Sequence, residues 1–304
     1  MSLRLRAATP VDAPGITAIH HSQQPVWRDP RTRQPVRYEA LDRFGRWANG
    51  GPWMDEGLCA AHLQRLEEHG LPAIVAELDG TLIGEAEYYL EREPEPLGVS
   101  LHLSILYVHA DWQGRGVGRL LIEAGVALAR ELGAAALTTQ PEEAPRVQTF
   151  YARNGFSPWY HALEMQMAAR PAPLPERVPL TRADLPRDLL LTIGRYQCGT
   201  QAWDTLWPAF TLEGWSTLRC GVWRTELGVL ALREQAFDPA QADGYAWLPP
   251  AAPLLPVLQA LQALGAEWGF QAVDVLLPAA QVPALRFALR LDYQNQIVLW
   301  RRQL

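Results

Sequence analysis

The sequence predicts an α/β protein made of two similar halves, each with a mixed, mostly antiparallel twisted sheet flanked by helices. Two observations support this fold class. Runs with strand-like alternation are interrupted by helical patterns of apolar residues in both halves. The stretch AARPAPLPERVP at 168–179 is typical of a linker, because proline breaks both helices and strand ladders. We therefore predict a first domain at 1–168, a linker at 169–179 and a second domain at 180–304.

The two halves begin alike. LRAATPVDAPGITAIH near the start and PLTRADLPRDLLLTIG after the linker each combine a strand end, a Thr/Asp turn and an amphipathic helical pattern. A duplicated domain is the simplest explanation. At 304 residues, the chain is long enough for two domains that each bury a core.

The first half then contains a predicted β-hairpin, in which PAIVAEL and TLIGEAEYYL flank a turn at Asp79-Gly80. VSLHLSILYV follows as another strand, whose alternation predicts that Leu101, Leu103 and Ile105 share one face. His102 and Ser104 would point to the opposite face.

A glycine-rich loop and a helix come next, in DWQGRGVGRLLIEAG. The helical pattern ends at Gly133 and places one apolar stripe on the helix, made of Leu120, Leu121, Ala124 and Leu128. AALTTQ is a short predicted strand, PRVQTFYARNGF a helix that ends at Asn154-Gly155, and YHALEMQM a closing strand.

The loop has the properties of an anion site. A helix N-terminus carries unpaired N–H groups and the positive end of the helix dipole. Gly114, Gly116 and Gly118 remove side chains that would keep a ligand from these amides, and Arg115 and Arg119 would add charge. A glycine-rich turn without a ligand is the alternative. The missing GK[ST] weakens the alternative of a Walker loop, and the GxGxG spacing weakens the alternative of a dinucleotide-binding GxGxxG loop.

LYVHADWQGRGVGRLLIEAG together with FYARNGF resembles the GNAT superfamily of acyl-CoA-dependent N-acyltransferases, over most of residues 1–167. The resemblance implies acetyl-CoA as the cofactor and Tyr151 as the general acid that protonates the departing thiolate. Two positions depart from the family pattern, Ala110 in place of a proline and Ala144 in place of an asparagine. By position, the resemblance implies that the pantetheine arm meets Leu106, Tyr107 and Val108, and that the pyrophosphate meets Gln113, Gly114, Arg115, Gly116, Val117, Gly118 and Arg119.

N-acylation requires a base, because an amine with a pKa near 10.4 attacks a thioester only after it loses a proton. Glu85 and Glu87 are two positions apart on one strand and therefore share a face, where they would hold a cationic amine and accept its proton. His102 is a second candidate. The structural alternatives are solvated strand-face carboxylates and a packed polar histidine.

The acceptor would bind at a long insertion, QQPVWRDPRTRQPVRYEALDRFGRWANGGPWMDEG. Trp27 and Trp53 would form walls of a pocket, and Asp55 would attract a cation. The arginines of the insertion, interleaved with aromatic residues, also fit a nucleic-acid surface. Interspersed acidic residues and the net charge of -6 disfavour that alternative.

The second half contains a comparable strand, helix and strand in GYAWLPPAAPLLPVLQALQALGAEWGFQAVDVLLP. Between Leu248 and Pro253 the loop is short, rich in proline and free of glycine, so that backbone amides are missing. Ala288 stands where the first half has Tyr151. The second half is therefore predicted to be a degenerate acyltransferase-like domain that lacks the CoA loop.

Composition narrows the remaining possibilities. No apolar run is long enough to span a bilayer and the first ten residues lack a signal-peptide core, so a cytoplasmic protein without a membrane partner is expected. Cys59, Cys198 and Cys220 lie far apart, which indicates neither a disulfide framework nor a metal site. We expect a monomer or homodimer.

The sequence thus predicts an acyltransferase that moves an acetyl group from acetyl-CoA to the primary amine of a small molecule in its first half. One alternative is a catalytically silent protein of the same fold that binds CoA as a sensor or regulator. The other is an interaction protein that binds RNA or DNA through the insertion.

Overall fold

The computed structural model describes residues 3–194, 199–207 and 219–304. The strands of the first half are β1 (Leu3–Ala7), β2 (Ala73–Leu78), β3 (Thr81–Glu93), β4 (Gly98–Val108), β5 (Ala136–Thr139) and β6 (Ser157–Ala168). Its helices are α1 (Ala13–His21), α2 (Arg43–Trp47), α3 (Glu56–Glu68), α4 (Val117–Glu131) and α5 (Pro145–Arg153).

The strands of the second half are β7 (Arg177–Pro179), β8 (Leu190–Ile193), β9 (Cys220–Thr225), β10 (Gly228–Gln235), β11 (Asp238–Leu248), β12 (Ala272–Pro278) and β13 (Asp292–Gln303). Its helices are α6 (Gly199–Leu206), α7 (Leu254–Glu267) and α8 (Val282–Leu289). No helix in the described part of the chain has the length and apolar character needed to cross a membrane.

In the described residues, thirteen strands form one sheet. The order is β1-β2-β3-β4-β5-β13-β6-β12-β11-β10-β9-β7, and β8 pairs with β11 beside this path. Most neighbours are antiparallel, whereas β4 with β5 and β11 with β12 are parallel. The predicted fold class, a mixed and mostly antiparallel sheet flanked by helices, is confirmed.

The two halves exchange strands at the centre of this sheet. β13 lies between β5 and β6, with Trp300 opposite Thr139 and Val298 opposite His161. β6 lies in turn between β13 and β12. The sheet is therefore continuous across the predicted boundary at residue 168, and each half completes the sheet of the other.

Helices cover both faces of the first half. Tyr88 of β3 packs with α4, whereas the next residue, Tyr89, packs with α1 and α3. Consecutive strand residues point to opposite faces, so α4 and α5 lie on one face of the sheet and α1 and α3 on the other. In the second half, α7 and α8 pack against β12, and α6 packs with Trp247 of β11.

The predicted hairpin at Asp79-Gly80 is present, with both turn residues at positive φ. The predicted stripe of the glycine-loop helix is wrong in part, because Leu120 is 41% exposed while Val117, Leu121 and Val126 are buried. The buried face of α4 is therefore rotated relative to the prediction.

Two further predictions are wrong. The helix expected after the linker is absent, and the strand β8 lies at its position, where it pairs with β11. Ile105 does not share a face with Leu103, because Tyr88 pairs with Leu103 and Glu87 with Ile105, so that Ser104 is left as a bulge on β4. Cys59 is buried and Cys220 half-buried, while Cys198 lies outside the described residues.

Candidate active site

The end of β4 is open on the side that faces β5. The two parallel strands pair at Leu101 with Leu137 and at His102 with Thr138. Farther along β4, Val108 still pairs with Gly84 of β3, but β5 has no register partner there. The backbone from Leu106 to Val108 therefore has no partner from β5 along one edge, and it leads directly into the glycine-rich loop.

The loop exposes its amides at the start of α4. Gly114 and Gly116 have φ of 74° and 89°, the left-handed region that favours glycine. A Cβ at either position would meet no atom within 4 Å, so the space outside the loop is open. Among the described residues, no group accepts a hydrogen bond from the amides of Gly114 to Arg119. These amides and the positive end of the α4 dipole form a cradle for an anion.

The glycine at position 118 is explained by packing, and not by access to the amides. A Cβ there would approach the ring of Phe150 to 3.1 Å, so this glycine permits α5 to pack closely on the start of α4. Arg115 and Arg119 are exposed, and the Arg115 guanidinium stacks 4.7 Å from the centre of the Trp112 ring. Both side chains add positive charge beside the loop.

A chain of polar side chains closes the other side of the loop. Gln23, just after α1, donates through Nε2 to the Val108 carbonyl at 2.8 Å. Gln113 Nε2 donates to Gln23 Oε1 at 3.0 Å, and Arg146 of α5 donates to Gln113 Oε1 at 2.6 Å. Gln113 is thus fixed by one residue that follows α1 and one residue of α5, and neither of them was predicted to belong to the site.

On the α1 and α3 face, two buried carboxylates of β3 are each in contact with a buried histidine. Glu85 Oε1 makes a close hydrogen bond with Nε2 of His20. His62 Nε2 lies 2.9 and 3.0 Å from the two oxygens of Glu87. The prediction that the two glutamates share a face agrees with this placement, whereas the histidines were not predicted. The sequence feature that marks such a histidine is a polar residue on an otherwise apolar stripe of a helix, as with His20 beside Ile16 and Ile19 on α1.

Burial governs the protonation of the first pair. It raises the pKa of Glu85 well above its ordinary value, and the nearby charge of Glu87 adds to this effect. Burial also lowers the pKa of His20 to about 3. Burial therefore disfavours the charged form of both groups, which are joined by the close hydrogen bond.

In the second pair, His62 and Glu87, the neighbouring hydrogen-bond donors determine which atoms accept. Arg65 Nη2 lies 3.3 Å from His62 Nδ1, and because arginine only donates, the His62 proton resides on Nε2. His62 Nε2–H and Trp53 Nε1–H, the latter at 2.7 Å, both donate to Glu87. Glu87 is consequently held as an accepting carboxylate.

Aromatic rings line the two pairs. His20 stacks on Tyr107 of β4 with ring centres 4.0 Å apart, and on Trp53 at 5.4 Å. Trp53 and Tyr107 are half-buried, so they form the boundary between the buried carboxylates and the surface. Such a stacked row of ring faces can bind a cation.

Tyr151 lies on α5, buried against Phe150 and Phe156. Burial raises its pKa to about 12, although a hydrogen bond with Thr139 acts in the opposite direction. The phenol therefore remains protonated over the physiological range, as a proton donor must.

Residues 70–158 match the family model described as the acetyltransferase (GNAT) domain. Solved structures similar to the whole chain include a GCN5-related N-acetyltransferase from Anabaena variabilis, with a TM-score of 0.64 and 10% identity over 99% of this chain and 72% of that one. Residues 70–158 of the chain therefore belong to a GNAT-type domain.

Two other solved structures match this chain over nearly its whole length. A GCN5-related N-acetyltransferase from Kribbella flavida has a TM-score of 0.60 and 13% identity, and the match covers 100% of this chain and 71% of that one. A tandem GNAT protein from the clavulanic acid biosynthesis pathway has a TM-score of 0.50 and 14% identity, with 99% and 98% covered. No curated protein matches the sequence significantly.

The remaining predicted site residues have other environments. His102 is buried where β4 and β5 still pair, and its Nδ1 lies 3.1 Å from the Thr138 hydroxyl. Asp55 is the N-cap of α3, with Oδ1 accepting from backbone amides and Oδ2 from Arg46. Trp27 lies in the insertion, where its ring centre is 4.8 Å from that of His21 in an edge-to-face arrangement. Only Trp53 of the three predicted acceptor residues contacts the carboxylate pairs.

In the described part of the second half, β8 occupies the position that corresponds to this opening. β8 pairs with β11 at Trp247 and Leu248, on the stretch that corresponds to the open end of β4. The amide of Gly194, which follows β8, donates to Leu276 of β12 at 3.3 Å. The segment of β8 and Gly194 therefore contacts both β11 and β12. In the first half, the corresponding strands β4 and β5 are separated at this position. Ala288, at the position of Tyr151, is exposed on α8.

Within the described residues, no group of three or more His, Cys, Asp or Glu side chains is arranged to hold a metal ion.

Proposed function

We propose that this protein transfers the acetyl group of acetyl-CoA to the primary amine of a small molecule, by direct attack, at a site in its first half. The observation that carries this proposal is the set of unpaired amides from Gly114 to Arg119, at the start of α4 and beside the open end of β4. A GNAT domain match over the same residues supports it.

The residues present fit coenzyme A. The amides of Gly114, Gly116 and Val117 would hold the pyrophosphate, and the edge of β4 from Leu106 to Val108 would pair with the amide groups of the pantetheine arm. When bound, acetyl-CoA supplies the activated thioester carbonyl. Gln113 would fix the position of the loop, because Gln23 and Arg146 both make hydrogen bonds with its side chain.

The amine would bind against the row of aromatic rings at Trp53 and Tyr107. Glu87, held as a carboxylate, attracts its ammonium form. Glu85 accepts the amine proton directly or through a water molecule, and its raised pKa brings this base closer to neutral pH. His20 shares that proton through its contact with Glu85.

Tyr151 would give its phenolic proton to the sulfur atom as the C–S bond breaks. The proton lost by the amine resides on the Glu85–His20 pair, so atoms and charge balance over the turnover once solvent returns both groups to their resting states. Because burial keeps the phenol protonated, it can act as the acid in each cycle.

The second half, in this proposal, has no CoA site of its own. Strand β8 occupies the corresponding opening, and prolines replace glycines in the corresponding loop. Its contribution is structural, through β13 and through helix α6.

The test is release of free CoA thiol from acetyl-CoA in the presence of a panel of polyamines, amino sugars and amino acids, with CoA binding measured in parallel by calorimetry. Turnover with at least one amine, lost in Glu85→Gln, supports the proposal. Tight CoA binding with no turnover on any class of amine would instead favour a CoA-dependent sensor or regulator. A salt-sensitive affinity for RNA or DNA without CoA binding would favour the nucleic-acid alternative.

A further inference from the structure

Helix α6 of the second half contacts the first half at the point where β4 changes its side-chain alternation. Gln201 of α6 donates through Nε2 to the hydroxyl of Ser104 at 3.2 Å, and both side chains are half-buried. Ser104 is the bulge residue of β4, because the pairing of β4 with β3 skips it. A side chain of the second half therefore bonds to the extra residue of this bulge.

The bulge decides which face of the sheet the last side chains of β4 occupy. Leu103 packs in the cluster beneath α4, and strict alternation would place Tyr107 on that same face. The extra residue reverses the alternation, so that Leu106 and Val108 pack toward α4 instead. Tyr107 is turned to the α1 and α3 face, where it stacks on His20 with ring centres 4.0 Å apart. The position of this tyrosine beside the carboxylate pairs thus depends on the bulge.

Helix α6 is itself well anchored. Its side chains Ala202, Trp203 and Leu206 are buried in an apolar cluster of the second half. At the start of the helix, the Thr200 amide donates at 2.8 Å to Oε1 of Glu91, which lies on β3 of the first half. The first residues of α6 are therefore bonded to β3 and to β4, and the glutamine reaches the bulge from a fixed support.

We propose that Gln201 is a positioning residue for the open end of β4, and that it acts by holding the bulge at Ser104. The proposal rests on the proposed function, in which the backbone of Leu106 to Val108 pairs with the pantetheine arm and Tyr107 borders the acceptor site. It gives the degenerate half a part in building the site, although that half lacks a CoA loop and the equivalent of Tyr151.

The physical reason is that the end of β4 has few contacts that fix its register. In the described sheet, β5 has no register partner for Leu106 to Val108, so this stretch pairs in the ladder with β3. A slip of β4 by one residue would remove the bulge and turn Tyr107 away from His20. The hydrogen bond from Gln201 opposes this slip, because it ties the Ser104 hydroxyl to a helix outside the strand pair.

The experiment compares the full-length chain with Gln201→Met, Ser104→Ala and the double variant. Methionine keeps the length of glutamine and removes its amide, so the substitution tests the hydrogen bond more than the packing. The control is Thr205→Val on the same helix, where the hydroxyl donates to the Ala202 carbonyl at 2.8 Å and contacts neither β3 nor β4 through that bond.

Three readouts separate positioning from stability. The imidazole proton shifts of His20, assigned with His20→Gln, report the ring current of Tyr107 and need no substrate. Calorimetry gives the affinity for CoA, and steady-state kinetics gives kcat and KM for the amine and for acetyl-CoA. The melting temperature records what a lost hydrogen bond costs in folding.

In Gln201→Met, the His20 signals are expected to shift or broaden, because Tyr107 loses its fixed place over the imidazole ring. CoA affinity should fall about threefold to tenfold, the effect of one lost hydrogen bond. Ser104→Ala should have the same effect, and the double variant should be no worse than either single one, since both remove the same contact. Thr205→Val should lower the melting temperature alone.

Wild-type His20 signals and wild-type CoA affinity in Gln201→Met, with only a lower melting temperature, would overturn the positioning role. Additive losses in the double variant would do the same, because the two side chains would then act separately. If the wild-type protein neither binds CoA nor turns over an amine, the proposed function fails instead. In that case the His20 signals still decide whether Gln201 holds Tyr107 in place.

Discussion

Trp300 of β13 lies opposite Thr139 of β5, so a strand from the end of the chain completes the sheet of the first half. Residues 1–168 alone would lose this strand, including the buried Leu299 and Trp300, each worth about 1.5–3 kcal/mol of burial free energy. We therefore expect residues 1–168 to give no cooperative thermal unfolding transition and to aggregate on size-exclusion chromatography.

A matched control keeps both halves and cuts only their connection. A protease site inserted after Ala172, in the exposed part of the linker, should yield two fragments that migrate as one particle and unfold near the temperature of the intact chain. Cooperative folding of residues 1–168 by themselves would contradict the importance of the strand exchange.

One equivalent of CoA should bind per chain. The first half has an open strand end and a glycine loop, whereas β8 fills the corresponding position of the second half. Calorimetric titration of the full chain with CoA measures the stoichiometry. A value near two would show that the second half also binds, against the role assigned to β8.

Tyr151→Phe removes the proposed acid and its hydrogen bond with Thr139, while the ring remains packed against Phe150 and Phe156. We expect kcat to fall by about 100-fold or more, with CoA affinity close to wild type and a loss of about 1 kcal/mol of stability. Tyr88→Phe is a suitable control, since that buried phenol donates to the Leu121 carbonyl and lies outside the proposed chemistry. It should cost about 1 kcal/mol of stability and leave kcat unchanged.

The pH dependence should report the buried base. Burial raises the pKa of Glu85, and a base works only when deprotonated, so kcat/KM should rise with pH through that raised pKa and then level off. The titrating groups around it are His20, Glu87, His62 and Tyr107. In Glu85→Gln the remaining activity should lack this acid limb, whereas Glu77→Gln, on the neighbouring strand β2, should retain it.

The free energy of unfolding should also depend on the protonation of Glu85, but this contribution should fall as the pH rises. Since the folded state holds the Glu85 proton more tightly than the unfolded state, its contribution is fully present below about pH 4.3 and is lost as pH rises through the raised pKa. The free energy of unfolding of Glu85→Gln relative to wild type should therefore increase with pH over that window. A difference that does not change with pH would mean that Glu85 has an ordinary pKa.

Local patterns were sufficient for much of the first half. Alternation and a two-residue turn identified the β2–β3 hairpin, and the glycines with the following helical pattern identified the loop before α4. These features depend on residues close together in sequence. The shared face of Glu85 and Glu87 follows from the period of a single strand, and no long-range information is needed for it.

Features that depend on pairing over long distances in the sequence were not predictable in the same way. Neither β6 nor β13 carries a local signal for its neighbours, so the exchange between halves was missed. The bulge at Ser104 reverses the side-chain alternation of β4 without any glycine or proline to indicate it. His20 and His62 became recognisable only when α1 and α3 were placed over β3.

The most direct test of the central claim, that bare amides at the start of α4 hold coenzyme A, is calorimetric CoA binding to Gly116→Ala and Gly133→Ala. Both glycines have positive φ, 89° and 71°, and a Cβ at either would meet no protein atom within 4 Å. Both variants should therefore lose about 1 kcal/mol of stability from backbone strain. We predict that only Gly116→Ala weakens CoA binding, by tenfold or more. Equal CoA affinity in the two variants, or CoA bound with full affinity by Gly116→Ala, would contradict the account.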